Sequence, residues 1–242
     1  MINSLSVVFP LYNESKRLHY TFKDIKSFNR GEIKKLEFIF IDDGSTDNSV
    51  ETLKKNLKKL KKKNFLFKII SLKKNMGKGN AIKKGVKLSK YNWILTIDTD
   101  MSVSLTQINE WIKKNHLTKK HAIYFGSRNL KNSIVKYQIH RKVFGIIFST
   151  ILKIFFQIYI KDTQCGFKLY KKNKAKYIFP KIKDPGFVHD VEILLISKRH
   201  NISVKELPLR WTHRKNSKLN LFYDSFIMLV GLIKIRINFL IS

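Results

Sequence analysis

One cysteine, four prolines and ten glycines in 242 residues exclude several classes of protein at once. A lone thiol, Cys165, cannot close an intrachain disulfide, so the chain is no disulfide-stapled scaffold and a reducing compartment is expected. The prolines are scattered, no Pro/Ser-rich linker separates one part from another, and no internal repeat is visible. No apolar h-region precedes the first strand, so no signal peptide is expected. The two most apolar stretches, 143–159 and 221–241, are interrupted by charged and polar residues and make poor transmembrane spans.

Acidic residues are scarce as well: 17 Asp and Glu face 49 Lys and Arg, a formal net charge of +32. Such a balance raises nucleic-acid binding first. No nucleic-acid module is recognisable, however, and lysine is spread over nearly every segment. The tract from Lys54 to Lys63 reads mostly as the solvated side of a helix whose apolar positions are Val50, Leu53, Leu57 and Leu60. Compositional bias, with attraction to an anionic membrane at about 1 kcal/mol per nearby cation, accounts for the charge better. No nucleic-acid partner is expected.

The acidic residues that do cluster sit at strand ends. Tyr91 to Thr96 is an aromatic and β-branched stretch that reads as a buried strand, and it runs into Ile97-Asp98-Thr99-Asp100. Two carboxylates one residue apart cannot both face a dry core. They can share a divalent cation, and Mg²⁺ or Mn²⁺ on one or two carboxylates takes its other ligands from phosphates and water. Asp-x-Asp alone is also an ordinary acidic turn, so its company decides. A second apolar strand ends at Ile41-Asp42-Asp43-Gly44-Ser45-Thr46-Asp47, ahead of candidate helix N-caps. A third strand, Val7-Val8-Phe9, is expected to stop at Pro10 before Leu11-Tyr12-Asn13-Glu14. A glycine-rich basic loop, Asn75-Met76-Gly77-Lys78-Gly79-Asn80, precedes a helix with Ala81, Ile82, Gly85 and Val86 on one face. Glycines let backbone N–H groups approach a phosphate, and a helix N-terminus favours anions. In an open α/β sheet ligands gather at the carboxyl ends of the strands, so these segments belong to one site.

Pro10 to Glu14, Asp42 to Asp47, Asn75-x-Gly77-Lys78-Gly79 and Asp98-x-Asp100 resemble the ordered motifs of family 2 glycosyltransferases. Gly126-Ser127-Arg128, Asp162 to Lys168, Asp190-Val191-Glu192 and Trp211 followed by Ser217-Lys218 resemble its dolichyl-phosphate (polyprenyl-phosphate) β-glucosyltransferase branch. The resemblance runs from about Ser4 to Lys218. It implies an α/β fold of the GT-A type, a Rossmann-like mixed sheet flanked by helices. Residues 1–218 would form the catalytic domain, with a nucleotide-sugar half to about 127 and an acceptor half from 128. Residues 219–242 would form a C-terminal amphipathic helix.

The resemblance also implies the chemistry. Asp98 and Asp100 would hold Mg²⁺ or Mn²⁺ against the diphosphate of a nucleotide-diphosphate sugar, neutralising it as it leaves. Pro10, Tyr12, Glu14, Asp42 and Asp43 would shape the nucleotide pocket, and Lys78 would approach the diphosphate or remain a solvated loop lysine. Configuration would invert by direct displacement. A hydroxyl acceptor calls for a general base, whereas a lipid phosphate, with a second pKa near about 6, is already mostly ionised. It needs cations that orient it, and Arg128, Arg141 and Lys168 stand at basic motif positions. Arg141 is equally a basic residue flanking an apolar helix. Asp190 would position the acceptor or act as base; acids in a helix's first turn also suit the dipole, so a structural role competes. Cys165 reads as a small buried residue beside tight backbone, and His189 is not expected to be a ligand.

Met101-Ser102 after Asp100 differs from the Gln-His common in the mannosyl branch, which tilts the donor from GDP-mannose to UDP-glucose. Other donors, and transfer to a glycan hydroxyl, are the nearest alternatives. Positions 143, 146, 147, 151, 154, 155 and 158 form one apolar helical face, with Phe144, Phe148, Leu152, Phe156 and Tyr159 covering much of the rest. In the tail, Phe222, Phe226, Leu229, Val230, Ile233, Ile237 and Leu240 oppose Asp224, Gly231, Lys234 and Asn238. Both segments suit membrane-surface helices, although the first fits a buried core helix equally. The expected location is the cytoplasmic face of a membrane, beside a polyprenyl or dolichyl phosphate; no protein partner is indicated.

Overall fold

Short apolar segments alternate with amphipathic ones in a computed structural model of the chain, which describes residues 2–60, 65–136, 139–214 and 221–241, the side chains at 139–143, 221–222 and 238–241 excepted. The first half runs β1 (Ser4–Leu11), α1 (Leu18–Ser27), β2 (Lys35–Asp42), α2 (Ser49–Lys59), β3 (Phe65–Ser71), α3 (Lys78–Leu88) and β4 (Trp93–Thr96). The second half continues with α4 (Thr106–Lys113), β5 (Ile123–Ser127), β6 (Ile134–Lys136), α5 (Ile139–Phe156), β7 (Lys168–Lys171) and α6 (Lys172–Ile178). After a 3₁₀ turn at Phe179–Lys181 come α7 (His189–Arg199), β8 (Val204–Pro208), β9 (Arg210–Thr212) and α8 (Leu221–Ile241).

Seven strands form one sheet in the order β3-β2-β1-β4-β7-β5-β8, parallel except where β7 runs against β4 and β5. Strands covered by helices on both faces are apolar at nearly every position. In β1, Val7, Phe9 and Leu11 enter one core layer while Val8 enters the other; in β2, Phe38 and Phe40 part from Ile39 and Ile41 in the same way. Phe9 stacks on Phe40 at a centroid distance of 4.6 Å, tying the first layer together. Leu53 and Leu57 of α2 are buried with lysines outward, and Ala81, Ile82, Gly85 and Val86 of α3 are all buried.

The chain leaves β1 for β2 on one side, and after β4 it builds the other side, so the sheet reverses direction between β1 and β4. Register sharpens this switch point. Leu11 pairs with Asp42 and Val8 with Thr96, so Tyr12 to Glu14, Asp42-Asp43 and Asp98 to Asp100 all emerge together.

One sequence expectation changes. Proline does not stop β1, which continues through Pro10 to Leu11. The Val8 carbonyl accepts from Ile97 N, and Thr99 Oγ1 donates to the Pro10 carbonyl. Pro10 therefore turns its missing donor to the side where the β4 ladder has already ended, and the ladder loses nothing. In α5, the inward residues are Leu152 and Phe156, with Phe148 half-buried, while Ile146, Ile147, Ile154 and Phe155 of the anticipated face are exposed. α8 likewise seats on Leu232 and Ile235, leaving Phe226, Leu229, Ile233 and Ile237 outward. Among the described residues no helix is long and apolar enough to cross a membrane.

Candidate active site

Asp98 and Asp100 leave the end of β4 with Thr99 buried between them. Thr21 Oγ1 donates to the Thr99 carbonyl, which pins this turn to α1. Asp98 Oδ1 lies 2.7 Å from Lys78 Nζ, in a pair that keeps 38% of the aspartate side chain exposed. The other side of the carboxylate lies on Gly166, where a Cβ would come within 2.3–2.5 Å of its atoms. Only hydrogen fits there. Asp100 Oδ2 faces Arg17 Nη1 at 3.2 Å, and its Oδ1 accepts from Ser102 N at 2.9 Å. Arg17 is itself held by Glu14, whose Oε2 accepts from Nε at 2.6 Å.

Lys78 owes its position to Asp43. The two Asp43 oxygens accept from Met76 N and Gly77 N, each at 2.8 Å, so the carboxylate after β2 clamps the glycine loop. Gly77 has φ +94°, and a Cβ on it would meet the Pro185 carbonyl oxygen at 2.3 Å. The loop before α7 thereby presses on the loop before α3. Burial pushes the Asp43 carboxyl up, and neighbouring Asp42 adds to this against the two amides. Asp42 takes Ser45 N at 3.1 Å, while Asn13 Oδ1 accepts from Thr46 N at 2.7 Å, closing the loops after β1 and β2 onto each other. Tyr12 stands 40% exposed at this edge.

A second charged group lies behind. Lys168 Nζ, on β7, is 2.8 Å from Asp190 Oδ2, and both side chains are almost wholly buried. His189 Nδ1 donates to the Gly186 carbonyl at 2.7 Å, and its Nε2 is 3.1 Å from Asp190 Oδ1. That contact is misaligned for hydrogen bonding, so Oδ1 is buried without a hydrogen-bond partner. Burial opposes ionisation of Asp190, yet His189 and Lys168 outweigh it and hold the carboxyl well below the usual range. Burial likewise opposes Asp98, and Lys78 followed by Lys168 brings it below the usual range against Asp190. The two groups thus share one electrostatic field. Glu192, by contrast, accepts from Lys183 N and Asp184 N, a structural use that shapes the 183–188 loop.

Arg128, just past β5, forks onto Asp162: Nε to Oδ2 at 2.7 Å, Nη2 to Oδ1 at 2.8 Å, and its own backbone N to Oδ2 at 2.9 Å. Its guanidinium also lies 5.9 Å from the Trp211 ring centroid. Arg141 falls in α5 where side chains lie outside the described residues, as do Ser217 and Lys218 altogether. Cys165 is buried as anticipated, and burial pushes its thiol up to about 12.

The donor set fits a divalent cation. Asp98 and Asp100 are two oxygen donors one residue apart, each already facing a cationic side chain, Lys78 and Arg17 respectively. Among the described residues no three His, Cys, Asp or Glu side chains cluster as a metal cage. A cation on two carboxylates draws its remaining ligands from phosphate and water, as Mg²⁺ and Mn²⁺ do.

The family model described as Glycosyl transferase family 2 matches residues 6–179. The chain belongs to that family. Within it, the transferase is 34% identical over 252 residues to the dolichyl-phosphate β-glucosyltransferase of Saccharomyces cerevisiae, covering 98% of this chain and 75% of the relative. The Dictyostelium discoideum protein of the same name is also 34% identical, with 98% and 75% covered. The human one is 32% identical, with 98% and 76% covered. The transferase is accordingly a hexosyltransferase of the dolichyl-phosphate β-glucosyltransferase branch. Among solved structures, glucosyl-3-phosphoglycerate synthase of Mycobacterium tuberculosis, in complex with Mn²⁺, UDP and glucosyl-3-phosphoglycerate, superposes with a TM-score of 0.72 at 15% identity, covering 97% of this chain and 80% of that one. Its complex with phosphoglyceric acid gives the same TM-score of 0.72 at 14% identity. These establish the mixed α/β sheet as the GT-A fold.

Sequence reasoning gave Arg17 and Pro185 no part in the site, and quoted Asp162 and Gly166 within a motif without assigning either a role. Arg17 carried a signal, a base three residues after Glu14 at a helix start. The close approaches of Gly166 and Pro185 cross long stretches of chain and left none.

Proposed function

We propose that this transferase moves glucose from UDP-glucose to dolichyl phosphate at a membrane surface, inverting the anomeric carbon. The observation that carries the reading is the meeting of the Lys78–Asp98 pair with the Lys168–Asp190 pair at the switch point of the sheet. The names of the relatives supply the sugar and the lipid.

Pro10, Tyr12, Glu14, Asp42 and Asp43 border the nucleotide, and Lys78 meets the diphosphate. Asp98 and Asp100 would hold Mg²⁺ or Mn²⁺, which when bound would supply charge neutralisation to the leaving diphosphate. Arg128 and Arg141 draw the acceptor phosphate, and Lys168, buried against Asp190, adds its charge from behind. One of its oxygens forms a bond to the anomeric carbon while that carbon's bond to the UDP oxygen breaks; the electron pair leaves with UDP. No proton has to move. Asp190 suits this chemistry because a carboxylate held so far below the usual range is a weak base. It orients Lys168 rather than activating a hydroxyl.

Exposed apolar residues on two helices support membrane association. Ile146, Ile147, Ile154 and Phe155 of α5 and Phe226, Ile233 and Ile237 of α8 are outward, with Lys153, Lys234 and Arg236 exposed among them. That mixture suits an interfacial helix on anionic lipid, on the cytoplasmic side.

The test is transfer of labelled sugar into organic-extractable lipid from dolichyl phosphate, with UDP-glucose and GDP-mannose in parallel. Label from UDP-glucose, abolished by chelator, is the expected result. Label from GDP-mannose alone would overturn the donor. Lipid left unlabelled by either, with UDP binding intact, would overturn the acceptor.

A further inference from the structure

The two carboxylates of the Asp98-x-Asp100 turn carry different kinds of counter-ion. Arg17 faces Asp100 but is anchored at its other edge by Glu14, beside the start of α1. Lys78 reaches Asp98 on a long flexible stem from the first residue of α3. Both members of that pair keep access to solvent, at 26% and 38% exposure. Lys168, the next cation in the field of Asp98, is committed to Asp190 at 2.8 Å. Of these cations, Lys78 is the one that can leave without stripping another acid of its partner.

Resting on the donor and metal reading above, we infer that Lys78 is an exchangeable internal counter-ion, which makes divalent-cation binding depend on the donor diphosphate. A divalent cation on Asp98 and the Lys78 ammonium repel each other at one carboxylate. Metal alone must expel the lysine into solvent. A diphosphate arriving at the same place offers the ammonium a new anionic partner and offers the metal its missing oxygen ligands. Each ligand then removes a cost to the other, which is positive coupling, and coupling is reciprocal. No bond is made or broken.

The experiment titrates Mn²⁺ into the full chain with and without UDP, reading unbound Mn²⁺ by its electron paramagnetic resonance signal. Wild type should bind Mn²⁺ weakly alone and at least about tenfold tighter with UDP. Lys78→Met should bind Mn²⁺ about tenfold tighter than wild type in the absence of UDP, with the UDP enhancement reduced by a similar factor. Lys78→Arg, which keeps the charge, should restore weak binding and strong coupling. Lys78→Gln gives a second neutral variant should the Met variant melt without cooperativity. Equal or weaker Mn²⁺ binding by the neutral variants without UDP, or an undiminished UDP enhancement, would overturn the inference. Neither arm uses lipid, so failure of dolichyl-phosphate labelling with the coupling intact would sink the acceptor reading alone.

Discussion

Arg128 and Asp162 form a three-point clasp, two guanidinium nitrogens and one backbone amide closing on a single buried carboxylate. Burial opposes the charge on Asp162, and Arg128 outweighs it, so the carboxyl sits below its ordinary value. A depressed folded pKa contributes stability that is fully present above the unfolded value, near about 4, and is lost as pH falls through the folded one. Asp162→Asn should therefore destabilise by about 3 kcal/mol at pH 7. The deficit relative to wild type should shrink in chemical denaturation at pH 3. An equal deficit at both pH values would contradict the clasp.

Asp190→Ala should also cost about 3 kcal/mol, because it strands the Lys168 ammonium in the core. Its sign with pH is the same: Asp190 is held low, so the contribution persists through neutrality and fades in acid. Replacing both partners, Lys168→Met with Asp190→Leu, should recover most of the thermal stability and none of the transfer. Recovery of transfer in the double variant would show the pair to be scaffold only.

Gly166→Ala is expected to keep the fold and lose at least about a hundredfold in kcat, since its Cβ would displace the Asp98 carboxylate. Thermal melting separates the two effects. A variant that melts like wild type yet transfers normally would show that Asp98 has more latitude than its seat on Gly166 implies.

Asp100→Asn should reduce transfer by about a hundredfold or more, with UDP binding in the presence of Mn²⁺ weakened in parallel. Isothermal titration of UDP with and without Mn²⁺ checks it. Metal-enhanced UDP affinity that survives the substitution would remove Asp100 from the metal set.

For the membrane, Phe155→Glu combined with Ile233→Glu should lower binding to phosphatidylserine-containing vesicles by about tenfold or more, given two apolar side chains of about 1.5–3 kcal/mol each. Transfer to a short-chain, water-soluble polyprenyl phosphate should survive. Unchanged sedimentation with vesicles would move the contact elsewhere.

Much of this was legible in the chain because its signals are local. Phe38 to Ile41 and Trp93 to Ile97 are apolar runs ended by acids, Val7 to Phe9 is one that leads into Pro10 and the polar turn to Glu14, and Leu53 and Leu57, or Ala81, Ile82, Gly85 and Val86, repeat at helical spacing. What stayed hidden depends on partners distant in sequence. The apolar face read on α5 from residue 143 to 158 is largely the exposed one, because Leu152 and Phe156 found the core and a hydrophobic stripe carries no label saying which way it turns. Lys168 looked like any basic motif residue until β7 inserted it beside Asp190. Asp43 offered no sign that both its oxygens would hold the loop of Lys78 rather than face outward.

Gly231 lies on the inward side of α8, and a Cβ there would approach Val188 Cγ2 to 2.6 Å. Val188 is the residue from which α7 starts, and Asp190 follows two positions later. The height of the outer helix above the buried acid is thus set by a single shim of zero thickness. One added methyl would act as a spacer under a hinge plate, tilting the helix without touching any charged group.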